Sequence, residues 1–181
     1  MERSLLVRPA AEGDLADIAA MVDDFARGHP SENHPRPLER LRAAYFGPEP
    51  CARVFVAVRR GAVVGMGQWI RFYDMFWAML GGKAEWLYVR PEARGLGIAA
   101  VLVAAICDDV RRSGGEFLAG GGDGDVARLY ERVARGWPTR DVYLSAEAFQ
   151  VFADLAGAPP REIVRRLPAP DLNRVPARPR P

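Results

Sequence analysis

Apolar positions along the chain recur with two periods, one near 3.6 and one near 2, and their alternation lays out the expected elements. Leu5 to Arg8 reads as a short strand, leading into Leu15, Ile18, Ala19, Val22 and Phe25, whose spacing predicts a helix with one buried face. Pro30, Pro35 and Pro37 interrupt that pattern, and Leu38 to Phe46 predicts a second, shorter helix stopped by Gly47 and Pro48. Val54 to Val58, the Arg60-Gly61 turn and Val63 to Phe72 read as two antiparallel strands, and a third is expected from about Ala84 to Val89, ended by Pro91. The loop Arg94-Gly95-Leu96-Gly97 then opens an amphipathic helix carrying Ile98, Val101, Leu102, Ala105, Ile106 and Val110, which Ser113-Gly114-Gly115 ends. Beyond it the pattern predicts a brief strand from Glu116 to Ala119, a helix from Val126 to Val133 bearing Leu129 and Tyr130, and a last strand from Val142 to Leu144. Ser145 reads as the N-cap of a helix through Phe149, Phe152 and Leu155, and Pro160 opens a final helical piece with Ile163, Val164 and Leu167. The expected organisation is an α/β unit over residues 1–144, a helical appendage over 145–167, and a Pro/Arg-rich tail over 168–181. That tail has too few apolar side chains to offset its own ordering entropy.

Composition narrows the class. A chain of 181 residues, 49% hydrophobic and 27% charged, suits one globular domain with a sizeable core. The net charge of +2 gives no reason to expect a nucleic-acid partner, although nearly every basic residue is arginine, with Lys83 the lone lysine. The longest apolar run, near Val101 to Ile106, falls far short of the roughly 20 residues that span a bilayer. Met1 to Arg8 lacks the apolar stretch of a signal peptide, so the expectation is a cytoplasmic protein with no membrane partner. Cys51 and Cys107 belong to no CxxC or Cys/His spacing; they read as reduced thiols, and no metal site is expected.

The informative unit is strand, glycine loop, helix. The first N–H groups of a helix are unpaired and sit at its positive end, so such a unit makes an anion site for which a pyrophosphate is the natural guest. A Walker A loop would need Gly-Lys-Ser/Thr, and a Rossmann loop would need GxGxxG after the first strand; neither is present. Arg94-Gly95-Leu96-Gly97-Ile98-Ala99, preceded by Tyr88-Val89-Arg90-Pro91-Glu92, resembles the Arg/Gln-x-x-Gly-x-Gly/Ala signature of the GNAT acetyltransferases (Gcn5-related N-acetyltransferases). The resemblance extends from Leu5 to Leu144 through the order of elements and a Leu129-Tyr130-Glu131-Arg132 run. It implies the GNAT fold of α/β (α+β) class: a mixed central sheet, mostly antiparallel, with a splayed parallel pair at the acyl-CoA site and helices on its faces. It also implies acetyl-CoA as cofactor. The amides of Arg94, Gly95, Leu96, Gly97, Ile98 and Ala99 would cradle its pyrophosphate, with Gly97 permitting close approach. Main-chain groups at Leu87 and Val89 would pair with the pantetheine arm, and the Val89 N–H would face the thioester oxygen.

Acyl transfer to an amine needs a neutral amine, a stabilised oxyanion and a proton for the departing thiolate. By resemblance, Tyr130 is the acid and Glu85 the base, the latter because Glu85-Trp86-Leu87-Tyr88-Val89 is similar to the Glu-x-x-x-Val stretch of polyamine and aminoglycoside acetyltransferases. Competing readings are a packing tyrosine and a salt-bridged edge glutamate. Tyr73, Asp74 and Trp77, in a stretch similar to the substrate-contact region of spermidine/spermine-type enzymes, would suit a cationic amine. The surrounding aromatic cluster reads equally as core or as a homodimer surface. His34, with Glu32 and Asn33 in the first interhelical loop, is a weaker substrate candidate. Two departures from the family pattern stand out. Asp123 replaces an expected Asn at a cofactor contact, inside a glycine-rich run, and one strand rather than two is expected after Tyr130. The expected function is acetylation of a small primary amine by direct attack through a tetrahedral intermediate. The alternatives are a protein or peptide N-acetyltransferase and a non-catalytic acyl-CoA-binding module.

Overall fold

A computed structural model describes residues 5–27, 37–121, 135–136 and 142–166. Its seven strands form one sheet in the order β1-β2-β3-β4-β5-β7-β6. They are β1 (Leu6–Pro9), β2 (Arg53–Arg59), β3 (Ala62–Asp74), β4 (Met79–Val89), β5 (Phe117–Gly120), β6 (Arg135–Gly136) and β7 (Val142–Ser145). Every pairing is antiparallel except β4 with β5. Helices α1 (Leu15–Arg27) and α2 (Leu38–Phe46) precede β2, and α3 (Ile98–Arg112) crosses over between the parallel strands. α4 (Ala146–Asp154) and α5 (Pro160–Arg166) follow β7.

The two faces of the sheet carry separate cores. On one, α1 buries Ile18, Met21 and Val22 against Val54, Val56, Val63, Met66 and Tyr88. On the other, α3 buries Ile98, Val101, Leu102, Ile106 and Val110 with Phe55, Trp69, Ala84 and Leu118. α3 is buried on more than one stripe, because α4 and α5 cover its outer side with Phe149, Phe152, Leu155 and Ile163. These four side chains, each exposed by 5% or less, belong to the main core, so α4 and α5 pack as part of it. Periodicity reveals that a helix has a buried face but does not name the surface that buries it.

Two other expectations change. β4 begins at Met79, five residues before the expected start. The intervening Gly81-Gly82 pair gives no strand signal, yet a Cβ at Gly81 would lie 2.6 Å from the Phe117 ring and one at Gly82 2.6 Å from Val110. Glycine is required there by the close approach of β5 and α3. A second strand does follow position 130 within the same chain, since the two-residue β6 pairs with β7. β3 outruns β2, whose pairing stops at Trp69, and Phe72 to Asp74 with their partners Met79 to Gly81 extend beyond both β2 and β5 as a short two-stranded ribbon. The expected helix over Val126 to Val133 lies outside the described residues.

Polar groups near the core are satisfied. Asp109 accepts from Trp69 Nε1 at 2.9 Å and from Arg53 at 2.7 Å, and Arg8 grips Asp14 with two hydrogen bonds of 2.6 and 2.9 Å. Both free cysteines are accounted for: Cys51 is exposed, and complete burial pushes the Cys107 thiol far up, leaving it inert.

Candidate functional site

The site is defined by where β4 loses its neighbour. β4 and β5 pair in parallel at Gly82, Lys83 and Ala84, and pairing ends there. From Glu85 to Val89 the outer edge of β4 has no strand beside it among the described residues. The Arg90 N–H donates to Val64 O at 2.9 Å on the β3 side, so backbone alternation turns the main-chain groups of Val89 and Leu87 toward the open edge. The Val89 carbonyl there accepts from Arg94 Nε at 3.0 Å, leaving the Val89 N–H as the donor at that position.

The same strand carries a bulge. Register passes from Gln68 opposite Trp86 to Trp69 opposite Ala84, which makes Glu85 the extra residue. Ala84 faces α3, and a Cβ at Gly82 would point the same way, into Val110 and Trp69, so Lys83 lies on the α1/α2 face. Glu85 lies there too, its carboxylate 3.0 Å from Lys83 Nζ and about a third of its side chain exposed. Trp86 shares that face, with its ring 4.9 Å from Phe25 of α1 in an edge-on contact. Tyr45 of α2 donates to Gln68 Oε1 at 2.9 Å beside them. Burial pushes the Tyr45 hydroxyl above its ordinary value, with Cys51 adding to the effect, so it remains a neutral donor. Phe25, Tyr45, Gln68, Glu85 and Trp86 thus form one wall. Sequence reading reached Glu85 alone as a functional candidate, because the bulge and the two helix-borne partners come from tertiary structure.

At the end of β4, a short 3-10 turn (Pro91–Ala93) delivers the loop into α3. Gly95 and Gly97 both take φ of +75°, a region closed to most side chains. Gly97 is the N-cap of α3 and supplies no side-chain cap, and the first turn of α3 holds no acidic residue. The N–H groups of Ile98, Ala99 and Ala100 therefore lack side-chain acceptors and converge at the positive end of a four-turn helix. Arg94 is exposed, lies 5.8 Å from the Tyr88 ring centroid, and has no carboxylate partner among the described residues. Among the described residues a Cβ at Gly95 would meet nothing within 4 Å, whereas one at Gly97 would lie 2.6 Å from Pro160 Cβ. Among the described residues the open approach is thus over Gly95 and Leu96, and the side of Gly97 that a Cβ would occupy is filled by Pro160. Uncapped donors, a guanidinium with no carboxylate partner among the described residues and an open edge strand fit a nucleotide diphosphate joined to an amide-bearing arm, as in coenzyme A.

The remaining candidates are set apart or lie outside the described residues. Tyr73, Asp74 and Trp77 occupy the tip of the β3–β4 ribbon, where Asp74 Oδ1 accepts from the N–H groups of Phe76 and Trp77 at 2.9 and 3.1 Å. Six residues separate Met79 from Glu85, about 20 Å of strand, so this tip does not meet the bulge. Tyr130, Asp123 and His34 are outside the described residues.

A model of the family described as acetyltransferase (GNAT) matches residues 18–134. The chain belongs to that family. A curated relative, thialysine N-epsilon-acetyltransferase of Sus scrofa, is 29% identical over 114 residues, covering 58% of this chain and 66% of its own length, a little under two thirds. Ribosomal-protein-alanine N-acetyltransferase from Brucella melitensis biovar Abortus 2308 superposes with a TM-score of 0.61 at 20% identity, over 75% of this chain and 94% of its own. An aminoglycoside acetyltransferase from an uncultured soil metagenomic sample, in complex with sisomicin, does so with 0.57 at 21% identity, over 71% and 85%. Among the described residues no helix is long and apolar enough to cross a membrane.

Proposed function

We propose that the protein is an acetyl-CoA-dependent N-acetyltransferase acting on a small cationic primary amine, with Glu85 and Tyr130 as its proton-transfer groups. The observation that carries the reading is the meeting, at one end of β4, of an unpaired strand edge with an uncapped glycine loop. Family membership supports the reaction class, and the names of the thialysine and aminoglycoside acetyltransferases support a small amine as acceptor.

Acetyl-CoA, when bound, supplies an acyl carbon activated by its thioester. The loop amides and Arg94 hold the diphosphate, and the main chain of Leu87 and Val89 orients the arm along β4. The Val89 N–H is the donor aimed where negative charge develops on the acyl oxygen, a contact of the kind worth about 3 kcal/mol in a preorganised site. The amine approaches from the α1/α2 face, where Glu85 attracts the cation and takes its proton, and Trp86 and Phe25 offer aromatic faces to its alkyl portion. Lys83, paired with Glu85 in the free protein, is displaced as the amine takes its place. Tyr130 would give its hydroxyl proton to the departing thiolate, which leaves as the free thiol.

The test is release of free thiol from acetyl-CoA across a panel of polyamines, thialysine, aminoglycosides and peptides with free amino termini. Saturable turnover with the small amines, reduced about 10²-fold or more in Glu85→Gln, is expected. Turnover confined to peptides would move the acceptor to a protein amine. Binding of acetyl-CoA with no turnover on any amine would reduce the protein to a binding module.

A further inference from the structure

The loop that would hold coenzyme A is not shaped by its own residues alone. Its two left-handed glycines have no side-chain cap, and the local hydrogen bonds hold only the ends of the segment: Arg94 donates to Pro91 O and Val89 O, and the Val101 N–H donates to Gly97 O. The outside constraint comes from some 60 residues further along the chain. Pro160, the first residue of α5, sits so close to Gly97 that a Cβ on the glycine would be 2.6 Å from Pro160 Cβ and 3.6 Å from its Cα. Pro160 cannot retreat freely. Ile163, three residues on, is fully buried in the core beneath α3, and the N–H groups of Glu162 and Ile163 donate to Pro159 O at 2.9 and 3.2 Å.

We infer that Pro160 is a positioning residue for the coenzyme: it presses on Gly97 and keeps the loop in the one backbone arrangement that converges its N–H groups on a diphosphate. The inference rests on the coenzyme reading above. It assigns to the C-terminal helices a function, as the rigid outer brace of the loop. The proline ring suits the task because its torsions are fixed, so pressing on the glycine costs no side-chain entropy. A loop freed from the brace is competent for only a fraction of the time, and apparent affinity falls by that fraction.

Calorimetric titration of coenzyme A into the full chain tests this with three variants. Pro160→Gly, which removes the ring and its Cβ, should weaken binding about tenfold, as for a loop competent about a tenth of the time. Its KM for acetyl-CoA should rise while kcat stays near wild type. Pro160→Ala keeps a Cβ against Gly97 and should retain most of the affinity. Arg165→Gly weakens the same helix at an exposed position away from the loop, and should lower the thermal midpoint about as much as Pro160→Gly while leaving coenzyme affinity unchanged. Equal affinity in Pro160→Gly and wild type overturns the inference. So does an equal loss in Arg165→Gly, which would trace the effect to helix stability alone. If wild-type protein itself binds no coenzyme A, the loop reading fails first and takes the brace with it.

Discussion

Alanine at Gly95 and alanine at Gly97 make a matched pair, because the two glycines share a backbone conformation and differ in what lies beside them. Both have φ of +75°, so either alanine costs about 1 kcal/mol for entering the left-handed region. At Gly95 no described residue lies within 4 Å of the new methyl group, and the stability loss should stop at that figure, a fall of roughly 2–4 °C in thermal midpoint for a chain of this size. At Gly97 the methyl group would sit 2.6 Å from Pro160 Cβ, more than 1 Å inside normal contact. Neither a proline ring nor a helix anchored by Ile163 yields cheaply, so overpacking adds about 1–3 kcal/mol and the midpoint should fall by roughly 5–12 °C. Coenzyme affinity should order the other way relative to stability. Gly95→Ala, on the open side, blocks the diphosphate directly and should weaken coenzyme A binding by tenfold or more while the protein stays well folded. Urea denaturation with calorimetry on both variants reads the two quantities separately. Equal destabilisation by the two alanines would refute the packing of α5 on the loop. Full coenzyme affinity in Gly95→Ala would refute the open face as the binding face.

Other expectations concern the frame around the site. The hydrogen bonds from Arg8 hold the Asp14 carboxyl below its ordinary value, against the opposing effect of burial and with help from the Ala11 N–H. A depressed carboxyl stabilises the fold above its unfolded value of about 3.9, and that contribution disappears as pH falls through the lower folded value. Asp14→Asn should therefore be about 1–2 kcal/mol less stable at neutral pH, with the gap closing as the pH falls through the lowered folded value; a gap independent of pH in denaturant melts would contradict the pairing. Phe152, fully buried between α4 and α3, should cost about 3–5 kcal/mol as Phe152→Ala. A single cooperative transition at lower denaturant would confirm that the C-terminal helices fold with the sheet, whereas separate melting of the helices would show an independent unit.

What the sequence made legible followed from local rules. The loop from Arg94 to Ala99 could be read because its glycines and flanking strand and helix all fall within a dozen residues, and α1, α2 and α3 could be read from spacing alone. What it hid was set by contacts between distant segments. Gly81-Gly82 looked like a break and is strand, since the neighbours that demand small residues there are Phe117 and Val110. The bulge that turns Glu85 to the α1/α2 face leaves no mark in the residue pattern. The Tyr45–Gln68 and Phe25–Trp86 contacts each join two elements whose pairing no period reveals. Tyr73, Asp74 and Trp77 carry chemistry suited to a cationic guest and sit at the tip of the β3–β4 hairpin, about 20 Å along the strand from Glu85, a separation no local pattern reveals. Gly97 was legible as a required glycine, though the reason it is required, Pro160, lies in a helix that the pattern set apart from the domain.

The proposed coenzyme site depends on a cluster of main-chain N–H donors at the start of α3 meeting a β4 edge that has no strand beside it among the described residues. Amide hydrogen exchange with and without saturating coenzyme A tests that cluster directly. Protection should rise at Leu87, Val89 and Gly95 to Ala99 and stay flat at the ribbon tip from Tyr73 to Trp77. Unchanged exchange at the loop and β4 edge, or protection confined to the ribbon tip, would contradict it.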